Sequence, residues 1–137
     1  MSNGSVGISI FNRLSASANL TNIIEDRIYP ITVPQNSKLP AVVYQQVTGQ
    51  RVHAMIRDPG LAYPRYQLTT LSTDYDQNYN IAKYTRQALQ DYSGSTGGVT
   101  IQRAFFDNEY EFESFDEESK LITYHIVQDY IIWWSTQ

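Results

Sequence analysis

The stretch LITYHIVQDYIIWW, residues 121–134, constrains the fold of this chain more than any other. Taken from Lys120 to Trp134, it reads as the longest strand or a bent pair of strands. Successive side chains of a strand point to opposite faces, so Ile126, Tyr130 and Ile132 share one face and Val127, Ile131 and Trp133 the other. A strand that is apolar on both faces belongs in the middle of a sheet, covered on each side. Its uninterrupted apolar run, Tyr130 to Trp134, is far too short to span a bilayer. Of the two tryptophans, alternation predicts one in the core and one at the rim.

What surrounds that strand follows from periodicity. Val6, Ile10 and Leu14 recur every four residues, with Phe11 joining them, which predicts a helix over 6–16. A short second helical turn is expected within 17–24. Pro30, Pro34 and Pro40 then break the chain, and Ala41 to Thr48 reads as a strand, apolar on both faces and so interior. Arg65 to Thr73 is a further strand with Tyr66, Leu68 and Thr70 on one face. Asp74 or Asp76 is suited to cap a helix running to about Tyr92, its buried stripe being Ile81, Tyr84, Ala88 and Leu89. SGSTGG at 93–98 ends that helix as a flexible link. Val99 to Phe106 is a strand, continued by Tyr110 to Phe112 beyond a bulge or turn.

Two amphipathic helices each need a sheet face to cover. The expected fold is therefore α+β and two-layered: a mostly antiparallel or mixed sheet of about four to five strands, with two main helices packed on it. The strand–helix–strand step at 65–106 allows one parallel pair by a right-handed crossover. A chain of 137 residues without internal repeat or linker is expected to be one domain, 1–137.

Composition excludes more than it selects. With no cysteine there is no thiolate catalysis and no cysteine-ligated metal. A net charge of −4, with ten basic residues scattered singly, argues against a general nucleic-acid binder. The N-terminal MSNGSVGISIFNRLS has neither the basic start nor the long apolar stretch of a signal peptide. No serine lies in a GxSxG elbow, and GSTGG lacks the lysine of a phosphate-binding loop. His53 and His125 have no metal-type spacing. His125, mid-strand, is expected to be a hydrogen-bonded structural histidine. No catalytic, cofactor-binding or metal-ligating residue is assigned.

FDNEYEFESFDEESK, 106–120, holds seven of the 14 acids. On a strand Glu109, Glu111 and Glu113 share a face opposite Tyr110 and Phe112. Three readings stand beside each other: a solvated face whose charge deters edge-to-edge aggregation, an ionic contact with another subunit, and a cation site. The spacing matches no calcium loop or metallohydrolase motif. A second candidate contact is the polar stretch Gln50 to Pro64, with a turn signal at DPG. Loops beyond ~12 residues in compact domains are uncommon unless mobile or functional. Arg51 and Arg57 suit acidic partners, Met55 and Tyr63 suit apolar burial, and His53 lies among them.

RIYP, a short loop, LPAVVYQQVTG, then RYQLTTLS leading into a helix with YTRQALQ, and finally YHIVQDYIIWW together resemble the bacteriophage tail completion, or tail terminator, family. The ordered set covers about residues 8–134; the acidic stretch at 106–120 corresponds to no pattern of that family. The resemblance implies a small subunit assembling into a hexameric ring on the head-proximal end of a tail tube. The ring stops polymerisation and joins tail to head and neck. It also implies a protein that is not an enzyme, needs no cofactor and contacts itself, the tail tube protein and a head-completion or neck protein. No membrane or specific nucleic acid is involved, although the lumen of such a ring passes DNA. The location implied is the virion tail or neck, with the host cytoplasm during assembly. Two alternatives stand beside it: another neck or head–tail adaptor, and a small carboxylate-dependent metalloenzyme using the acids at 107–118.

Overall fold

The computed structural model describes residues 6–35, 37–49, 61–96 and 99–135. The helix expected at the start is α1, Val6–Ser15, and it buries Val6, Ile10 and Leu14 completely or nearly so. Phe11 does not join that face; it sits at the rim, because at about 100° per residue its side chain lies beyond the edge of the buried stripe. The short second helix is α2, Ala18–Ile24, whose Ser17 cap accepts a bond from the Leu20 amide. Asp74, not Asp76, caps α3, Tyr75–Leu89, by accepting from the amides of Asp76 and Gln77. Ile81, Ala88 and Leu89 are buried as expected, whereas Tyr84 is half-buried.

Among the described residues seven strands form one mixed, curled sheet: β1 Ile28–Pro30, β2 Ala41–Thr48, β3 Leu61–Ala62, β4 Arg65–Ser72, β5 Gly94–Thr96, β6 Val99–Asp116 and β7 Leu121–Ser135. Their order is β1-β2-β4-β7-β6-β5, with β3 on the end of β7. The four long strands, β2, β4, β6 and β7, are those expected from alternation. The three extra ones have two or three residues each, too few to show a period of two. They include Gly94–Thr96, expected as part of a flexible link but paired with Val99–Ile101, and Leu61–Ala62, expected in a loop but paired with Trp134 and Ser135. The longest strand is β6, with 18 residues, because bulges at 101–103 and 106–108 let one ladder continue where a turn also fitted the sequence.

β7 is central, between β4 and β6, and antiparallel to both. The helix step from β4 to β6 therefore makes no parallel pair; β7, later in the chain, fills the place between them. The parallel pair is β1 with β2, joined across the proline-rich loop. Arg27 braces that loop, donating Nε to the Pro40 carbonyl (2.8 Å) and a terminal nitrogen to the Ile23 carbonyl at the end of α2 (3.3 Å).

The three helices described, α1, α2 and α3, lie on one sheet face. Val42, Tyr66, Leu68, Ile101, Ala104, Tyr130 and Ile132 turn toward them and join Ile10, Leu14, Leu20, Ile24, Ile81 and Leu89 in a single core. Trp134 packs on that core, while Trp133 faces the other way and stacks on Tyr63 at 4.5 Å.

Candidate functional site

The helix layer leaves the far half of β6 uncovered except at the start of α3. From Asp107 to Asp116 every residue of the strand is exposed. β7 pairs it on one side only; on the other, among the described residues, β5 stops at Ile101 and the last bonds to the chain are those of Ala104 with Asp91 and Tyr92. The acidic stretch is thus an edge strand, closed by the turn 117–120. Asp116 shapes that turn by accepting from the Glu118 amide and the Ser119 hydroxyl. Lys120 completes it with φ +60°.

The alternation expected for this strand holds: Glu109, Glu111 and Glu113 lie opposite Gln128, Ile126 and Tyr124, on the helix side. Tyr110 and Phe112 lie on the other side, where Phe112 stacks on His125 at 4.4 Å. The acids are not uniformly solvated. Glu109 accepts from Gln128 Nε2 (2.9 Å), and Glu111 accepts from the Tyr75 hydroxyl (2.9 Å). Asp107 pairs with Arg65 at 2.6 Å. Glu113, Glu117 and Glu118 have no side-chain partner among the described residues. The Tyr75–Glu111 bond raises the Tyr75 pKa, chiefly because the phenol proton is held by the carboxylate. A cleft of about 380 Å³ opens here, between the start of α3 and the hairpin, walled by Tyr75, Tyr124, Glu111 and Glu113.

Beneath the edge lies a buried polar relay that the sequence did not single out. Tyr130 donates its hydroxyl to Gln128 Oε1 (3.0 Å), and Gln128 Nε2 donates to both the Ala82 carbonyl and Glu109. Gln128 is fully buried, and burial pushes the Tyr130 pKa strongly upward, so the phenol stays a donor. The relay pins α3 to the root of the hairpin. A glutamine within an apolar strand is the one signal of it in the sequence. His125 is hydrogen-bonded through Nε2 to Ser114 at 2.9 Å, as expected, and desolvation lowers its pKa.

The second candidate contact divides. Arg51, His53, Met55 and Arg57 lie outside the described residues. Tyr63 is half-buried, stacked on Trp133 beside Arg65 and Ile131, far along the chain from the acids and not brought to them by any contact among the described residues. Among the described residues no three histidine, aspartate or glutamate side chains converge as metal ligands, and no helix is long and apolar enough to cross a membrane.

Among the described residues, the sheet of this α+β module is left open along a charged, aromatic-rich edge. A family model described as tail completion protein gp17 matches residues 8–135, and the chain belongs to that family of phage structural tail proteins. Among solved structures, a chain in the virion of a native gene transfer agent particle is similar, with TM-score 0.62 and 12% identity, over 93% of this chain and 94% of that one. At that identity the likeness is one of fold. No curated protein sequence matches it significantly.

Proposed function

We propose that this protein forms a ring, a hexamer, at the head-proximal end of a phage tail tube, where it ends polymerisation and joins the tail to the head or neck. The observation that carries this reading is the family match across nearly the whole chain. Its partners are further copies of itself, the tail tube protein and a head-completion or neck protein; its lumen passes DNA. Its role is structural, without cofactor, and it assembles in the host cytoplasm before residing in the virion.

The same reading makes the stretch from 50 to 60 a docking segment. Arg51, His53, Met55 and Arg57 contact the tube or neck, with Tyr63 at its base.

Adding the purified protein to polymerising tail tubes and imaging the ends tests the proposal. Tubes of arrested length bearing a terminal ring are expected; tubes that lengthen regardless, with bare ends, would remove it. Replacing residues 52–60 by a brief Gly-Ser turn should impair capping and spare the fold. The deletion must stop short of Leu61 and Ala62, which pair with β7.

A further inference from the structure

Two edges of the sheet differ in charge, but among the described residues both leave backbone unpaired and both expose apolar side chains. At one end is the outer edge of β6, unpaired beyond Ala104 among the described residues. At the other is β2, which β1 covers only from Val42 to Tyr44, leaving Gln45 to Thr48 without an outer neighbour among the described residues. Exposed backbone edges of this kind are templates for a further strand.

Charge distinguishes the two edges. Residues 105–123 carry seven carboxylates and one lysine, a formal −6; the whole chain is −4, so the remainder is +2. Residues 27–49, which hold β1 and β2, contain Arg27 and Lys38 and no acid. Like charges directly opposite each other destabilise a strand pair, so two β6 edges repel, whereas β6 against the uncharged β2 edge meets no such penalty.

Apolar exposure points to the same two places. Of the 11 exposed large hydrophobic residues described, six lie in 105–122, and two more, Ile31 and Val47, flank the β2 edge. Ile31 is 68% exposed and holds φ +69°, a conformation that a β-branched side chain adopts only at a cost. Its amide is bonded to the Tyr44 carbonyl, so the backbone there is held while the side chain faces outward.

We infer that the acidic β6 edge of one copy docks on the β1–β2 edge of a second copy, head to tail. One edge is spent and the other offered in each copy, which is the heterologous contact that closes into a ring. Phe112 and Phe115 supply apolar surface from one side, Val47 and Ile31 from the other. Glu113 and Glu117, without side-chain partners among the described residues, face strands β1 and β2, which carry no acid; of the two acids just before β1, Glu25 is paired with Arg27. The inference rests on the ring reading and adds which surfaces make the ring.

Because the chain has no cysteine, single substitutions report the contact directly. Val47→Cys and Phe112→Cys alter residues 46% and 48% exposed, so neither disturbs the core. A short bis-maleimide added to tube-bound protein should link the two variants when they are mixed, and should link neither variant to itself. A chain carrying both substitutions should give a covalent ladder ending at the ring size. Adding Gln45→Glu and Gln46→Glu, which puts acids on the β2 edge against the acidic hairpin, should cut the mixed product roughly tenfold, equivalent to ~1.4 kcal/mol. Self-linking of Phe112→Cys or of Val47→Cys would indicate a two-fold contact and overturn the inference. Rings on tube ends without mixed product would overturn it while leaving the ring reading intact. Bare tube ends and a monomer at all concentrations would remove both.

Discussion

β6 is two different strands in one. From Val99 to Ala104 it buries Val99, Ile101 and Ala104 against the helices; from Asp107 to Asp116 it buries nothing. Both halves are hydrogen-bonded to the same partner, β7, in one continuous ladder. The ladder satisfies backbone groups equally along its length, so it cannot account for the difference. Coverage does: the helices pack on Ile101 and Ala104 of the near half, whereas α3 meets the far half through polar bonds, from Tyr75 to Glu111 and through Gln128 from the Ala82 carbonyl to Glu109. The near half is thus held by burial, the far half by pairing and a few polar bonds, which leaves its aromatic side chains exposed.

The largest expected effect breaks the comparison at its covered end. Ile132 is fully buried opposite Ala104, and Ile132→Ala should cost about 2–5 kcal/mol through lost transfer energy and a cavity. Phe115→Ala, at 57% exposure, should change monomer stability by no more than ~0.5 kcal/mol while weakening assembly. Urea denaturation of both variants decides whether the two halves differ as described; equal losses would mean that the hairpin is part of the core.

Next in size is the junction between the halves. Gln128→Met should cost about 1–3 kcal/mol, because the buried Tyr130 hydroxyl loses its acceptor. Tyr130→Phe in the Met background should recover part of that loss, and a double-mutant cycle measures the coupling. A strictly additive pair would dissolve the relay into independent contacts.

The turn gives a smaller, opposite effect. Lys120 sits at φ +60°, where a non-glycine residue costs about 1–2 kcal/mol, and glycine there carries an unfolded-state entropy penalty of about 0.5–1. Lys120→Gly should therefore stabilise the monomer by ~0.5 kcal/mol, seen as a higher urea midpoint. No gain would place the turn's stability in the Asp116 bonds instead.

The smallest effect is a pH dependence on the open face. Burial lowers the His125 pKa below its ordinary 6.5, so between the two values the unfolded chain binds the proton more readily. The stability associated with neutral His125 is complete above pH ~6.5 and declines as pH falls through the folded value. Comparing urea midpoints at pH ~7.5 and ~5.5, a range that spans the ordinary histidine pKa but stays above most carboxylate values, the wild type should lose more than His125→Gln. Identical losses would move the titration elsewhere.

Local chemistry made much of the molecule legible. Apolar spacing marks α1 and α3 and the four long strands, because a buried stripe or face must repeat with the period of its own element. The Asp74 cap and the edge character of the acids were also readable, since capping oxygens and clustered charge act within a few residues of themselves. The alternation of Glu109, Glu111 and Glu113 needed only that the stretch be a strand.

What the sequence by itself determined, then, is which segments are helix or strand and which of their faces avoid water. Which strands become neighbours was decided only by the tertiary structure. β1 pairs with β2, Gly94–Thr96 joins the sheet, and β7 enters between β4 and β6, because pairing satisfies backbone donors that are alike in every residue and carry no local signature. The partners of the acids belong to the same class. Arg65 reaches Asp107 across 42 residues, Tyr75 reaches Glu111 across 36, and Gln128 reaches Glu109 across 19. A carboxylate accepts from any donor within reach, and reach is a property of the folded chain.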